Sequence, residues 1–152
     1  ENLEYLSYRD VLTGMYNRNK YMDVLDEYKE RKINDAGVAF FDLNGLKMIN
    51  DKKGHKAGDT YICLAAGTFI KKFPENAYRI GGDEFVIIMP DVNKAVFECE
   101  VHKLQEEMQK KGVSISMGYL WRKSVDDMVD MLNEADRLMY EEKKHYYQSN
   151  KA

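Results

Sequence analysis

Two carboxylates follow two glycines in Gly81-Gly82-Asp83-Glu84, and apolar runs flank the four, Tyr78 to Ile80 before and Phe85 to Met89 after. Adjacent acids at a turn suit a hard cation, and residues without side chains let a bulky ligand approach the backbone. Together they point to a nucleotide bound with Mg²⁺. The same four residues also suit an ordinary surface hairpin that carries acids for solubility, so the tetrapeptide alone leaves both readings open. A second carboxylate, Asp42, ends the continuous apolar run Val38-Ala39-Phe40-Phe41. Burying an unpaired carboxylate is costly, so packing does not explain it. Asp42 reads either as a cap on the following turn or as a partner of Asp83 in holding one or two Mg²⁺ ions.

The elements that must position these acids are legible around them. The runs flanking the glycines are short, β-branched and aromatic, which predicts two strands joined by a tight hairpin, with Gly81-Gly82 supplying positive φ. Residues 38 to 41 predict a strand buried on both faces. Asn17 is placed to cap a helix carrying Tyr21, Leu25 and Tyr28. Gly54 and Gly58 break the next section. A helix from about Asp59 to Lys72 then carries Ile62, Ala65 and Phe69, and Pro74 stops it. Asp91 is placed to cap a third long helix with Phe97, Val101, Leu104 and Met108 inside. A strand follows from Val113 to Trp121. Ser124 with Asp127 resembles a capping box and opens a last helix through Val125, Met128, Leu132, Ala135 and Met139. The order β-α-β-β-α-β, with helices added at both ends, is an α+β ferredoxin-like core.

At 152 residues the chain fits one domain with a real hydrophobic core. Residues 1 to 8, with Leu3 and Leu6, read as the end of a linker or signalling helix, and 9 to 152 as the domain. The chain opens on Glu1 rather than Met. It therefore reads as a piece of a longer protein, whose missing N-terminal part would hold a sensor or signalling domain and any membrane anchor. A net charge of −3 gives no basic field for nucleic acid or for direct membrane contact. A polymerase palm would share the fold and the acids, but the chain is too short and too weakly basic to grip a template. No apolar run approaches membrane-span length, and the first residues lack the charged and apolar regions of a signal peptide. Cys63 and Cys99 fall in predicted helices without metal-type spacing and read as buried free thiols in a reducing cytoplasm. His55, His102 and His145 lack partners at a spacing that would make a site.

Several longer motifs occur in order along the chain. They are Asp10-Val11-Leu12-Thr13-Gly14-Met15-Tyr16-Asn17-Arg18, the stretch Asp42 to Asp51, Gly54-His55-Lys56-Ala57-Gly58-Asp59, Gly81-Gly82-Asp83-Glu84-Phe85 and Ala135-Asp136-Arg137-Leu138-Met139-Tyr140. Essentially the whole chain thus resembles a GGDEF domain, of the diguanylate cyclase family, which condenses two GTP into cyclic di-GMP and releases pyrophosphate. The resemblance implies that Asp42, the backbone carbonyl of Leu43 and Asp83 hold Mg²⁺, with Mn²⁺ as the alternative ion. It implies that Glu84 is a further acid at the metals and assists the attacking 3′-hydroxyl. Asn50 and Asp59 would bond the guanine edge, where a carboxylate accepts from N1–H and the 2-amino group. Lys47 and Lys143 would contact phosphates, amides around Gly45 and Leu46 would cradle the phosphate tail, and Gly81 and Gly82 would leave room for the substrate. With one GTP per domain, two domains would face each other in a transient homodimer. The alternative is a catalytically weak domain that serves as a GTP-binding regulatory or interaction module. No side chain is an obvious general base, so catalysis would rest mainly on positioning and charge stabilisation.

The chain departs from the family pattern at several places. Asn44 and Leu46 stand where the pattern has a second acid and an aromatic. Lys143 is kept, but Tyr147 stands at the phosphate-binding arginine, and helical spacing points Lys144 elsewhere. The Arg and Asp of the family's inhibitory product site are Lys72 and Glu75 here, which implies weak product inhibition.

Overall fold

The computed structural model describes residues 7 to 150. The elements run α1 (Arg18–Tyr28), β1 (Ile33–Leu43), α2 (Leu46–Lys53), α3 (His55–Lys72), β2 (Ala77–Arg79), β3 (Glu84–Met89), α4 (Lys94–Lys110), β4 (Ile115–Val125) and α5 (Met128–Ser149). The strands form one antiparallel sheet in the order β2-β3-β1-β4. This is the ferredoxin-like arrangement predicted from the sequence, with α1 and α5 added at its ends.

Strand parity sorts the core into two layers. Along β1, Ala39, Phe41 and Leu43 pack with α3 and α4, whereas Val38 and Phe40 pack with α1 and α5. Phe69 of α3 closes the first layer, stacking on Phe85 at 4.8 Å between ring centroids and meeting Phe41 edge-on at 5.0 Å. Tyr21 and Leu25 of α1, with Met131, Leu132 and Ala135 of α5, close the second. Burial on both faces is why β1 reads as an unbroken apolar run. The same parity places the acids. Asp42, two residues after Phe40, falls on the α5 face, and so does Glu84, its register partner on β3.

A close approach holds α5 against the sheet. A methyl group at Gly118 of β4 would lie 2.2 Å from both the Ala135 carbonyl oxygen and the Met139 nitrogen. Both are backbone atoms, so no rotamer change relieves the clash. Gly118→Ala is expected to cost about 2–3 kcal/mol of stability, as overpacking does. The urea midpoint should fall at unchanged slope; a midpoint equal to wild type would contradict this packing.

Several element ends differ from the sequence expectations, each for a local reason. Gly54 separates two helices, but Gly58 does not break the chain, and α3 begins at His55 rather than Asp59. The preceding α2 has no counterpart in the sequence pattern, because none of its residues is buried and no apolar period is left to read. Asn93, not Asp91, caps α4, its Oδ1 accepting from the Val96 N–H at 2.8 Å, while Asp91 sits at φ 52°. Asp127 caps α5 by itself, accepting from Asp130 N–H, and Ser124 and Val125 belong to β4. Cys63 and Cys99 lie in helices as expected but are exposed on their outer faces. The reading of residues 1 to 8 as a helix end falls mostly outside the described residues; Ser7 and Tyr8 are helical. Among the described residues no helix is long and apolar enough to cross a membrane.

Candidate active site

Asp42 and Glu84 are directly opposite each other on the α5 face of the sheet, and Asp83 adjoins Glu84 at the end of the hairpin. Like charges across a strand pair are destabilising, so the fold gains nothing from this arrangement. Asp42 is only 5% exposed. Its Oδ2 accepts from the Lys143 Nζ of α5 at 2.7 Å, and its Oδ1 is buried without a partner. Burial pushes the Asp42 carboxyl up to about 6, with Lys143 opposing the shift and the neighbouring Asp83 carboxyl adding to it. Burial also raises Glu84, helped by the charges of Asp83 and Asp136. For Lys143, burial acts downward, but its bond to Asp42 outweighs this and holds the ammonium above its usual range. A cluster of raised acids with an orphaned oxygen fits a divalent cation, which would neutralise the repulsion. Among the described residues, no three His, Cys, Asp or Glu side chains gather into a protein-only metal cage. Mg²⁺ ordinarily needs fewer, one or two carboxylates plus substrate phosphates.

The hairpin is not the tight turn expected. Neither Gly81 nor Gly82 lies in the left-handed region, because four residues, Ile80 to Asp83, connect β2 to β3 and relax that requirement. The connection closes through Ile80 N–H to Glu84 carbonyl at 3.0 Å, and its Asp83 carbonyl accepts from Leu43 N–H at 2.9 Å. A methyl at Gly82 would meet nothing within 4 Å. Neither backbone conformation nor packing calls for a glycine there, so the bare surface is free for a ligand. Sequence reading missed what fixes this hairpin. The Arg79 guanidinium donates to the Gly82 carbonyl at 2.8 Å and to Asp10 Oδ2 at 2.9 Å. Asp10 also accepts from the backbone and hydroxyl of Thr13. Burial pushes Asp10 up, but Thr13 and Arg79 together outweigh it and hold the carboxyl below its usual range. The Asp-x-x-Thr spacing is a local capping signal that could have pointed to Asp10.

The other predicted residues gather around α2. Gly45, at φ 77°, precedes this helix and has no side chain of its own to cap it. Helix N–H groups without intrahelical partners bind anions, which suits the amides of Gly45 and Leu46 to phosphate. Lys47 is exposed in the first turn. Asn50 Oδ1 is buried without a partner, and a methyl at Gly58 would lie 1.7 Å from it. Gly58, in the middle of its helix turn, is therefore what lets Asn50 pack between α2 and α3. Asp59 is the next residue and is exposed. Asn50 and Asp59, the two residues expected at a guanine edge, thus lie at one helix junction, and Asp42, Asp83, Glu84 and Lys143 at one end of the two central strands.

Residues 7–149 match the family described as diguanylate cyclase, GGDEF domain. The chain belongs to the GGDEF family. The diguanylate cyclase DgcS of Shewanella oneidensis is 32% identical over 145 residues, 88% of this chain and 49% of DgcS. The signaling protein YkoW of Bacillus subtilis is 32% identical over 152 residues, 89% of this chain and 19% of YkoW. The chain thus spans about half or less of these curated relatives. The coiled coil and GGDEF domain of DgcB from Caulobacter crescentus, solved in complex with c-di-GMP, shares the fold with a TM-score of 0.83 at 23% identity. That match covers 95% of this chain and 84% of the other.

This GGDEF domain departs from the family pattern in ways the structure explains. Asn44 is 3% exposed; its Nδ2 donates to Ser114 Oγ at 3.1 Å and its Oδ1 accepts from Ser116 Oγ at 2.9 Å. A carboxylate accepts only, so an amide suits this buried position. Leu46 packs against the α3–α4 layer of the core. Lys72 and Glu75 diverge. The Lys72 ammonium lies 3.7 Å from Glu107 and 3.9 Å from Glu100 on α4, whereas Glu75 accepts from the Tyr16 hydroxyl.

Proposed function

We propose that this domain condenses two GTP into cyclic di-GMP, one GTP per domain, in a transient dimer of facing domains. The observation that carries this reading is Asp42, a buried carboxylate with a free Oδ1, opposite Glu84 and beside Asp83. In the reaction the 3′-oxygen of one GTP attacks the α-phosphorus of the other, the bond to the β-phosphate breaks, and pyrophosphate leaves; the reciprocal attack closes the ring. Asp42, the Leu43 carbonyl, Asp83 and Glu84 would hold Mg²⁺ or Mn²⁺, which when bound would supply positive charge at the phosphates. Glu84, raised by burial, is suited to draw the proton from the 3′-hydroxyl. Lys143 and Lys47 place charge on the phosphate tail, which the Gly45 and Leu46 amides receive. Asn50 and Asp59 read the guanine edge, and the bare backbone of Gly81 and Gly82 admits the substrate. The domain works in the cytoplasm, paired under the control of an N-terminal sensor or signalling domain. The divergence of Lys72 from Glu75 supports weak product inhibition.

A second reading, a weakly active GTP-binding regulatory module, is favoured by Tyr147, whose hydroxyl already accepts from the Gly45 N–H. A dilution series separates the two. If each domain supplies half a site, cyclic di-GMP formed per milligram rises with protein concentration. Constant specific activity over a wide range, in a protein shown to be monomeric, would end the facing-dimer reading; GTP binding without product would leave the regulatory module.

A further inference from the structure

We propose that Tyr147 sets the affinity of the phosphate cradle by occupying it: its hydroxyl holds the Gly45 N–H that a phosphate oxygen would take, and triphosphate displaces it. This rests on the reading of the α2 start as the triphosphate site. Tyr147 lies one turn beyond Lys143 on α5, so one helix face presents both side chains to the β1–α2 turn. Lys143 reaches Asp42 there at 2.7 Å, and the Tyr147 hydroxyl accepts from Gly45 N–H at 3.3 Å. Tyr146 adds to the cover. Its ring meets that of Tyr147 edge-on at 5.0 Å, and its hydroxyl would lie 4.0 Å from a methyl at Gly45.

The contact is built to be exchanged. At 3.3 Å it is longer than an ordinary N–H···O bond. A neutral hydroxyl accepts from the amide without bringing charge, whereas a phosphate oxygen makes the stronger, charge-assisted bond. The displaced ring has a place to go. A cleft of about 610 Å³ opens beside it, lined by Lys47, Met48, Asp51 and Lys52 as well as the two tyrosines. Met48 is 60% exposed and offers the ring an apolar surface. Tyr147 therefore does more than leave the arginine position without a cation: it competes for an amide that the substrate needs.

The test is calorimetric titration of a non-hydrolysable GTP analogue with Mg²⁺ into wild type, Tyr147→Phe and Tyr147→Arg. The ring of Tyr147 is half exposed, and the phenylalanine variant removes only the hydroxyl. Loss of one competing hydrogen bond predicts about three- to tenfold tighter binding in Tyr147→Phe, with guanosine monophosphate affinity unchanged and Tyr147→Arg tighter still. Equal or weaker binding of the analogue by Tyr147→Phe, or an equal gain for the monophosphate, would overturn the proposal. If no variant binds any guanine nucleotide, it is the GTP reading that fails. Inorganic triphosphate titrated into wild type and Tyr147→Phe then decides Tyr147 alone, tighter binding by the variant supporting the proposal and no difference overturning it.

Discussion

Asp42→Asn is expected to cut GTP turnover by about 10²–10³-fold, the scale of losing one preorganised electrostatic group, and to make the metal-free domain more stable at neutral pH. The first effect follows from the loss of the orphaned Oδ1 charge that faces Asp83 and Glu84. The second follows from linkage. Burial raises the folded-state value of Asp42 from 3.8 to about 6, so between these values the native state holds more protons than the unfolded chain. Stability contributed by this group therefore falls as pH rises through that window, and the cost persists above it. Asparagine carries no charge to bury, and its amide oxygen can still accept from Lys143. The variant should gain about 1–2 kcal/mol at pH 7 and nothing below about pH 4. Urea unfolding without divalent ions, at both pH values, reads the difference. A variant less stable than wild type at pH 7 would contradict the buried-charge account, and full turnover would remove Asp42 from the mechanism.

ATP is expected to bind at least about a hundredfold more weakly than GTP, the discrimination typical of a site whose polar groups go unpaired with the wrong base. Asn50 Oδ1 is buried and without a partner, and Asp59 follows Gly58 at the same junction. Guanine offers donors at N1 and the 2-amino group; adenine offers a ring-nitrogen acceptor instead, which leaves the carboxylate unpaired and repelled. Gly58→Ala places a methyl 1.7 Å from the present position of Asn50 Oδ1 and must move that side chain. It should lower GTP affinity about tenfold, the loss of roughly one good hydrogen bond, and leave ATP unchanged. Calorimetry with both nucleotides checks this, and equal affinity for ATP and GTP in the wild-type domain would contradict it.

What the sequence revealed depended on burial. Strand β1 is legible because both its faces are covered, and α1, α4 and α5 because each has one apolar stripe. Helix α2 carries Leu46, Lys47 and Asn50, the residues proposed to meet phosphate and guanine, yet buries none of its residues, so it leaves no periodic trace. Gly58 looks like a breaker until Asn50 is seen against it. The like-charged pair of Asp42 and Glu84 follows from strand parity, but only once the β1–β3 register is known. Arg79 reaches Asp10 across 69 residues of chain, a contact that no local pattern announces. The motif positions identified Tyr147 as a missing arginine. That its hydroxyl rests on the Gly45 amide is visible only from how α5 packs on the sheet.

The most direct test of the central claim is product analysis by mass spectrometry after incubating the concentrated domain with GTP and Mg²⁺, beside an Asp83→Ala variant. Asp83 is a half-buried hairpin acid outside both core layers, so the variant should remain folded. The account predicts cyclic di-GMP and pyrophosphate from wild type and neither from the variant. Absence of product from wild type that binds GTP, or equal product from both proteins, would contradict it.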